Sequence, residues 1–282
     1  MFTSPEESEY TMLKNKELVN DINNCTLDIN EVAFWWLGQH SFVLKINNSI
    51  LYIDPFLSDR SDRLLPPLLN AEEIVNANLI LGSHDHIDHI DHPLLQQFVK
   101  LNSTTKLIVP ELLRNSLIEE LKISPDRVFG CGDNFTVQVD GIKVTGIAAA
   151  HEFFDQDTKT GHFPYLGFII ETDNFTIYHS GDTCLYEGME TKLQKWDFDI
   201  AFVPINGRDA KRLRANCLGN MTYQEAADLC GNLKPKLIVP AHYGMFAGNT
   251  IDPKLFTDYM DIKYPNLKTH ICTPGQRYIY KK

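Results

Sequence analysis

The 282-residue chain contains no apolar run of 18 residues, so no stretch of it is suited to crossing a bilayer as a helix. Its opening segment, MFTSPEESEYTMLKNKE, is acidic and has no apolar centre, which is unlike a secretory signal. Basic residues are in deficit: 26 Lys and Arg stand against 37 Asp and Glu, a formal charge of −11. That balance disfavours a nucleic-acid binder and a protein of anionic membrane surfaces. The six cysteines, at 25, 131, 184, 217, 230 and 272, form no CxxC pair. They read as reduced, mostly buried thiols, and not as a disulfide frame or a thiolate zinc site. Linkers and low-complexity tracts are lacking as well. The expectation is a cytoplasmic α/β protein, 43% hydrophobic and able to bury a sizeable core, with a homo-oligomer left open.

What is present is a regular alternation of short apolar runs, turns and amphipathic stretches. Residues 1–30 are polar and are expected to form a helical extension outside the main core, with 31–282 as a single domain. Val32–Leu37, Phe42–Ile46 and Ile50–Ile53 predict strands, the last two joined at Asn47-Asn48. Further strands are predicted at Asn78–Leu81, Lys106–Val109, Ile200–Ile205, Lys236–Val239 and Thr269–Cys272. Hairpins are predicted across Asp140-Gly141 and Asp173-Asn174. Helices are predicted at Pro93–Lys100, Glu111–Leu121, Thr222–Leu233 and Pro253–Tyr259, the third with Thr222 and Glu225 at capping-box spacing. A long internal repeat emerges: Phe42 and Phe168, Asp54 and Asp182, and the KLIVP copies at Lys106 and Lys236 stand 126, 128 and 130 residues apart. Two similar α/β halves are expected, each with a hairpin ending in Asp.

The densest chemistry lies in Gly82-Ser83-His84-Asp85-His86-Ile87-Asp88-His89-Ile90-Asp91-His92, between a buried strand and a helix opened by Pro93. Imidazoles and carboxylates at a strand end can converge on one point, and that donor set suits Zn²⁺, Fe or Mn²⁺. The plain alternative is a solvated polar loop. His84-x-His86-x-Asp88-His89 resembles the HxHxDH signature of the metallo-β-lactamase superfamily, and Asp85, Asp91 and His92 fall off that register. His151 after a strand, Asp182 in a Gly-Asp pair and His242 in Val239-Pro240-Ala241-His242-Tyr243 follow in the family's order, with Asp54 in its first motif. The resemblance implies a four-layer αβ/βα sandwich of two pseudo-symmetric halves, which accounts for the repeat. It also implies two divalent metal ions, Zn or Mn with Fe admissible. His84, His86 and His151 would hold the first, Asp88, His89 and His242 the second, and Asp182 would bridge them. A metal-activated water would be the nucleophile, and Asp88 the catalytic residue that accepts its proton. Asp54 and His179 are expected behind the ligands, orienting their imidazoles.

Trp36-Leu37-Gly38-Gln39-His40-Ser41, Ile53-Asp54-Pro55-Phe56, Tyr178-His179-Ser180-Gly181-Asp182 and Met221-Thr222 narrow the resemblance to the L-ascorbate-6-phosphate lactonase-like branch. That branch implies a hydrolase opening a lactone of a small anionic sugar acid; a phosphodiesterase or nuclease of the same fold is the alternative. Four basic residues among positions 208–214 against one Asp give a local +3. Arg208 and Arg214, with Asn206 allowing a turn, are therefore expected to contact an anionic substrate, a solvated face or subunit contact being the alternative. His162, in a polar segment 152–165 expected to cover the site, and Tyr243 complete the expected substrate contacts. Cys184 is expected to line the cavity. His40, His92 and His270 read as structural histidines.

Overall fold

The computed structural model describes residues 12–282. Its strands are β1 (Glu31–Gly38), β2 (Ser41–Ile46), β3 (Ser49–Ile53), β4 (Leu79–Leu81), β5 (Lys106–Pro110) and β6 (Val128–Cys131), then β7 (Thr136–Val139), β8 (Ile142–Ala148), β9 (Leu166–Glu171), β10 (Thr176–His179), β11 (Ile200–Pro204), β12 (Leu237–Ala241) and β13 (Arg277–Lys281). The helices are α1 (Asn15–Asn24), α2 (His92–Leu101), α3 (Glu111–Leu121), α4 (Met189–Leu193), α5 (Ala210–Arg214), α6 (Tyr223–Leu233) and α7 (Lys254–Lys263). Among the described residues no helix is long and apolar enough to cross a membrane.

Two mixed sheets run in the orders β13-β1-β2-β3-β4-β5-β6 and β12-β11-β10-β9-β8-β7. The period-two pattern explains why they stack. Along β1, Val32, Phe34 and Trp36 enter the core between the sheets, while Ala33, Trp35 and Leu37 enter a second core beneath α1, α2 and α3. The inter-sheet core is aromatic: Phe202 lies 5.3 Å from Phe34 and 4.3 Å from Phe42, ring centre to ring centre. Helices α6 and α7 cover the far face of the second sheet, with Ala226, Leu229, Phe256 and Met260 buried against it. The result is the expected αβ/βα sandwich. Its pseudo-symmetry is visible in the pairing: β2-β3 antiparallel then β4 and β5 parallel, and β9-β10 antiparallel then β11 and β12 parallel.

Three expectations change. Helix α1 is not outside the core, because Leu18, Val19 and Ile22 are buried in the outer layer. The Lys45 ammonium, itself buried, donates to the Ile22 and Asn23 carbonyls at the end of α1 (2.7 and 2.8 Å) and fastens it to β2. The part of the 1–30 segment that precedes Met12 lies outside the described residues. The late strand is not Thr269–Cys272, which makes one isolated bridge from Thr269 to Ile238. The last strand is β13, antiparallel to β1 at the edge of the first sheet. Segment 206–216 is not all loop: Asp209 accepts hydrogen bonds from the Lys211 and Arg212 amides and starts α5.

Candidate metal centre

The polar cluster forms where strands of both sheets end. Asp54 follows β3, the His84–His89 turn follows β4, Asp182 follows β10 and His242 follows β12. Several of these end residues hold left-handed backbone, with φ of +46° at Asp54 and +60° at His242. Non-glycine residues seldom adopt that region, and sites that do are held there by their surroundings. Gly181, before Asp182, has φ +58° and a Cβ there would stand 2.1 Å from the Leu166 carbonyl oxygen, so only glycine lets this chain pass β9. In the turn itself, the His89 and Ile90 amides both donate to the His86 carbonyl (2.9 and 2.8 Å).

All seven side chains of the expected set meet. His84, His86 and His151 present ligand atoms within 4.8 Å of one another, as do His84, His89 and Asp182, and again Asp88, His89 and His242. Asp182 is central. Its Oδ1 lies 3.4 Å from His89 Nε2, and its Oδ2 lies 2.9 Å from His242 Nε2 and 3.6 Å from His151 Nε2. Asp88 Oδ2 stands 3.7 Å from His89 Nε2 and 3.8 Å from His242 Nε2. Asp182 is sealed, whereas the Asp88 side chain keeps 16% exposure toward solvent.

The Asp54 carboxylate backs the cluster. It accepts from the Ser83 amide and hydroxyl (both 2.7 Å) and pairs with His89 Nδ1 (2.6 Å). With Nδ1 committed, His89 Nε2 points inward, buried, with no hydrogen-bond partner among the described residues. An unpartnered buried imidazole nitrogen beside two carboxylates fits a metal ligand. Behind Asp182, His179 donates from Nε2 to the His40 carbonyl (3.0 Å) and its Nδ1 accepts from the Gly181 amide (3.4 Å). It thus braces the turn that carries Asp182. Asp91 holds a different part: it caps α2 through the Leu94 amide and accepts from the Leu57 and Ser58 amides, tying the loop after β3 to the cluster.

Protonation states follow from burial and charge. Burial pushes the His84 imidazole well below its usual range, lowers His86, and brings His151 to about 4. Burial works against the charge of Asp88 and Asp182. The His89 and His242 imidazoles outweigh it and hold both carboxyls below their ordinary range. His89 is also opposed by burial, but Asp182, Asp88 and Asp54 draw it well upward. His84, His86 and His151 are thus neutral beside ionised carboxylates, the state in which such groups bind a divalent cation, whereas His89 must release a proton to do so.

The cluster floors a cleft of about 1250 Å³. His86, Asp88, His151, Asp182 and His242 reach it, and Arg60, Lys211, Arg212, Cys217 and Phe246 are among its walls. The substrate contacts expected from sequence do not line it. Arg208 forms a two-pronged pair with Glu225 (2.6 and 2.8 Å) and donates to the Asn220 carbonyl, so it ties the loop to the start of α6. Arg214 is exposed and lies outside the cleft wall. Asn206 is buried between Asn220 and Asn249. Tyr243 is buried, its ring 4.8 Å from Trp36. His162 sits beside Gly132, between β6 and β7. From segment 152–165 it is Tyr165 that meets the imidazoles, its ring 5.3 Å from both His84 and His151. The cysteine in the wall is Cys217; Cys184 is buried, with its thiol against the Gly219 carbonyl. Sequence reasoning missed Gln39, His40 and Asp91. The available signal for the first two was a polar pair interrupting the apolar run 32–46.

Comparison with known proteins agrees with this geometry. A family profile described as "Beta-lactamase superfamily domain" matches residues 50–243. A UPF0173 metal-dependent hydrolase of Pyrococcus abyssi is 30% identical over 243 residues, covering 86% of this chain and 96% of the relative. One from Sulfurisphaera tokodaii is 29% identical over 242 residues, with coverage of 86% and 96%. Among solved structures, Igni18, a metallo hydrolase from Ignicoccus hospitalis, superposes with a TM-score of 0.69 at 21% identity, covering 89% of this chain and 99% of that one. This chain therefore belongs to the β-lactamase superfamily, as a metal-dependent hydrolase of the metallo-β-lactamase fold.

Proposed function

We propose that the chain hydrolyses a small anionic ester or lactone with two divalent ions, Zn²⁺ or Mn²⁺, in the manner of the lactonase-like branch it resembles. His84, His86 and His151 would hold one ion, Asp88, His89 and His242 the other, and Asp182 would be shared between them. The observation that carries the reading is His89 Nε2: buried, unpartnered, and 3.4 Å from the carboxylate that separates the two histidine sets. Bound divalent ions lower the pKa of water toward about 7 and polarise an acyl oxygen. The chain's own part begins with Asp88. Of the two ligand carboxylates lining the cleft it is the more exposed, 16% against 3% for Asp182, so it can accept the proton of an attacking water. Asp54 fixes the His89 ring so that its inner nitrogen stays aimed at the cluster.

The anionic end of the substrate is assigned to Lys211. Arg60 and Arg212 also reach the cleft, but each is paired with an acid, Asp62 and Asp209. Lys211 makes no ion pair among the described residues and stands in the same cleft wall. The test is a panel of sugar lactones, phosphodiesters and thioesters offered to metal-loaded protein, with elemental analysis of chelator-free preparations. Lactone or ester turnover with about two metals per chain is expected. Turnover confined to phosphodiesters would replace the lactonase reading with the phosphodiesterase one.

A further inference from the structure

The turn between β1 and β2 delivers two side chains to the ligand carboxylates. Gln39 and His40 are both fully buried. Gln39 Nε2 donates to Asp88 Oδ2 at 2.9 Å and lies 3.2 Å from His242 Nε2. His40 Nδ1 lies 3.3 Å from Asp182 Oδ1. Because an ionised carboxylate only accepts, His40 carries its proton on Nδ1 and donates it to Asp182.

We propose that Gln39 and His40 are positioning residues for the metal cluster, one donor fixing each of its two carboxylates. The proposal rests on the reading of Asp88 and Asp182 as metal ligands. Two further observations support it. First, each residue keeps one buried polar atom without a partner among the described residues, Gln39 Oε1 and His40 Nε2. Leaving such atoms unpaired destabilises a fold, so packing alone would favour an apolar pair here.

Second, the turn is immobilised from the opposite sheet. The Gln39 carbonyl accepts from the His242 amide (2.8 Å) and the Trp36 indole (3.0 Å), and the His40 carbonyl accepts from His179 Nε2 (3.0 Å). Gly38 has φ +100°, and a Cβ there would lie 2.7 Å from Leu65 and Met245 side chains. Gln39 itself has φ +52°. With the backbone so held, each side chain has a fixed origin from which to reach its carboxylate. The His40 ring also packs against His179, 4.1 Å centre to centre with the planes inclined by 41°, which restricts its orientation.

The test uses full-length apo protein refilled with Zn²⁺ under chelator competition, with thermal melts of the apo forms. Gln39→Met and His40→Leu remove the donors at similar volume. Each should weaken at least one Zn²⁺ site by about 10- to 100-fold. The apo melting temperature of His40→Leu should match or exceed that of the unaltered chain, since an unpartnered nitrogen is removed. His40→Asn places an amide near the position of Nδ1 and should restore Zn²⁺ affinity to within about threefold, because it returns the donor. Wild-type affinity in both donor-less variants would overturn the proposal, as would His40→Asn binding as weakly as His40→Leu. A wild-type chain that takes up no Zn²⁺ would overturn the metal reading itself, and this proposal with it.

Discussion

Two aspartates of the cluster differ by environment alone. Asp182 is enclosed by four imidazoles, its Oδ1 facing His40 and His89 and its Oδ2 facing His151 and His242. Asp88 is held on one side by Gln39 and opens on the other to the cleft. Removing the charge of Asp88 while keeping its volume should therefore abolish chemistry and spare the fold. Asp88→Asn is expected to lower kcat by on the order of 10²-fold or more in metal-replete protein, the loss usual for a positioned general base. Steady-state kinetics with parallel metal analysis checks this; near-normal kcat at full metal content would remove Asp88 from the role. The residues around the cluster were only partly legible in the chain. His84, His86, Asp88 and His89 stand in one short pattern, legible from residue type and spacing, whereas Asp54, His151, Asp182 and His242 followed from the family resemblance. Gln39 and His40 reach Asp88 and Asp182 across 49 and 142 positions, a relation that no local pattern carries.

The segment from Asn206 to Asn216 shows what coiling does to a run of charge. As a bare sequence it is a basic loop. Folded, Asp209 caps α5, Arg208 turns back to Glu225, and Lys211 and Arg212 are the members that reach the cleft. Glu225 is also the capping-box partner of Thr222 at the start of α6, so the Arg208–Glu225 pair joins two elements. Both side chains remain about a third exposed, which limits the pair to roughly 1–2 kcal/mol of stability. Arg208→Ala is thus expected to lower the urea midpoint while slowing anionic and uncharged substrate analogues alike. Lys211→Ala is expected to do the reverse: stability unchanged, and kcat/KM lowered about tenfold for the anionic analogue alone. If Arg208→Ala discriminates between the analogues and Lys211→Ala does not, the assignment of the anion contact passes back to Arg208.

At the scale of the molecule, the cluster joins both sheets, so metal and fold are linked. Ions that bind the folded chain at about 100 times their Kd add about 2.7 kcal/mol, so chelation should lower the melting temperature by about 5–10 °C, reversed on refilling. An unchanged melt after verified metal removal would count against the linkage. Acid should also destabilise the apo protein, through histidines buried neutral. His179 is pushed by burial to about 3, against an ordinary 6.5. Above pH 6.5 it is neutral folded or unfolded and contributes nothing. Between 6.5 and 3 the unfolded chain takes a proton that the folded chain refuses, so stability falls as pH falls, by about 1.4 kcal/mol per pH unit at most. Urea titrations of apo His179→Gln should show a shallower fall between pH 6.5 and 5 than the unaltered chain; an equal slope would exonerate His179. The chain alone determined most of the strands, the two-fold repeat and the His84–His89 group of donors, while the family resemblance implied His151, Asp182 and His242. The first three are written in local periodicity or in short spacings, which backbone geometry converts directly into position. Which basic side chains face the cleft, where α1 and β13 dock, and how Gln39 and His40 meet the carboxylates were decided only in the tertiary structure. Those contacts come from packing two sheets face to face, and that packing brings together residues whose separation along the chain carries no physical signal.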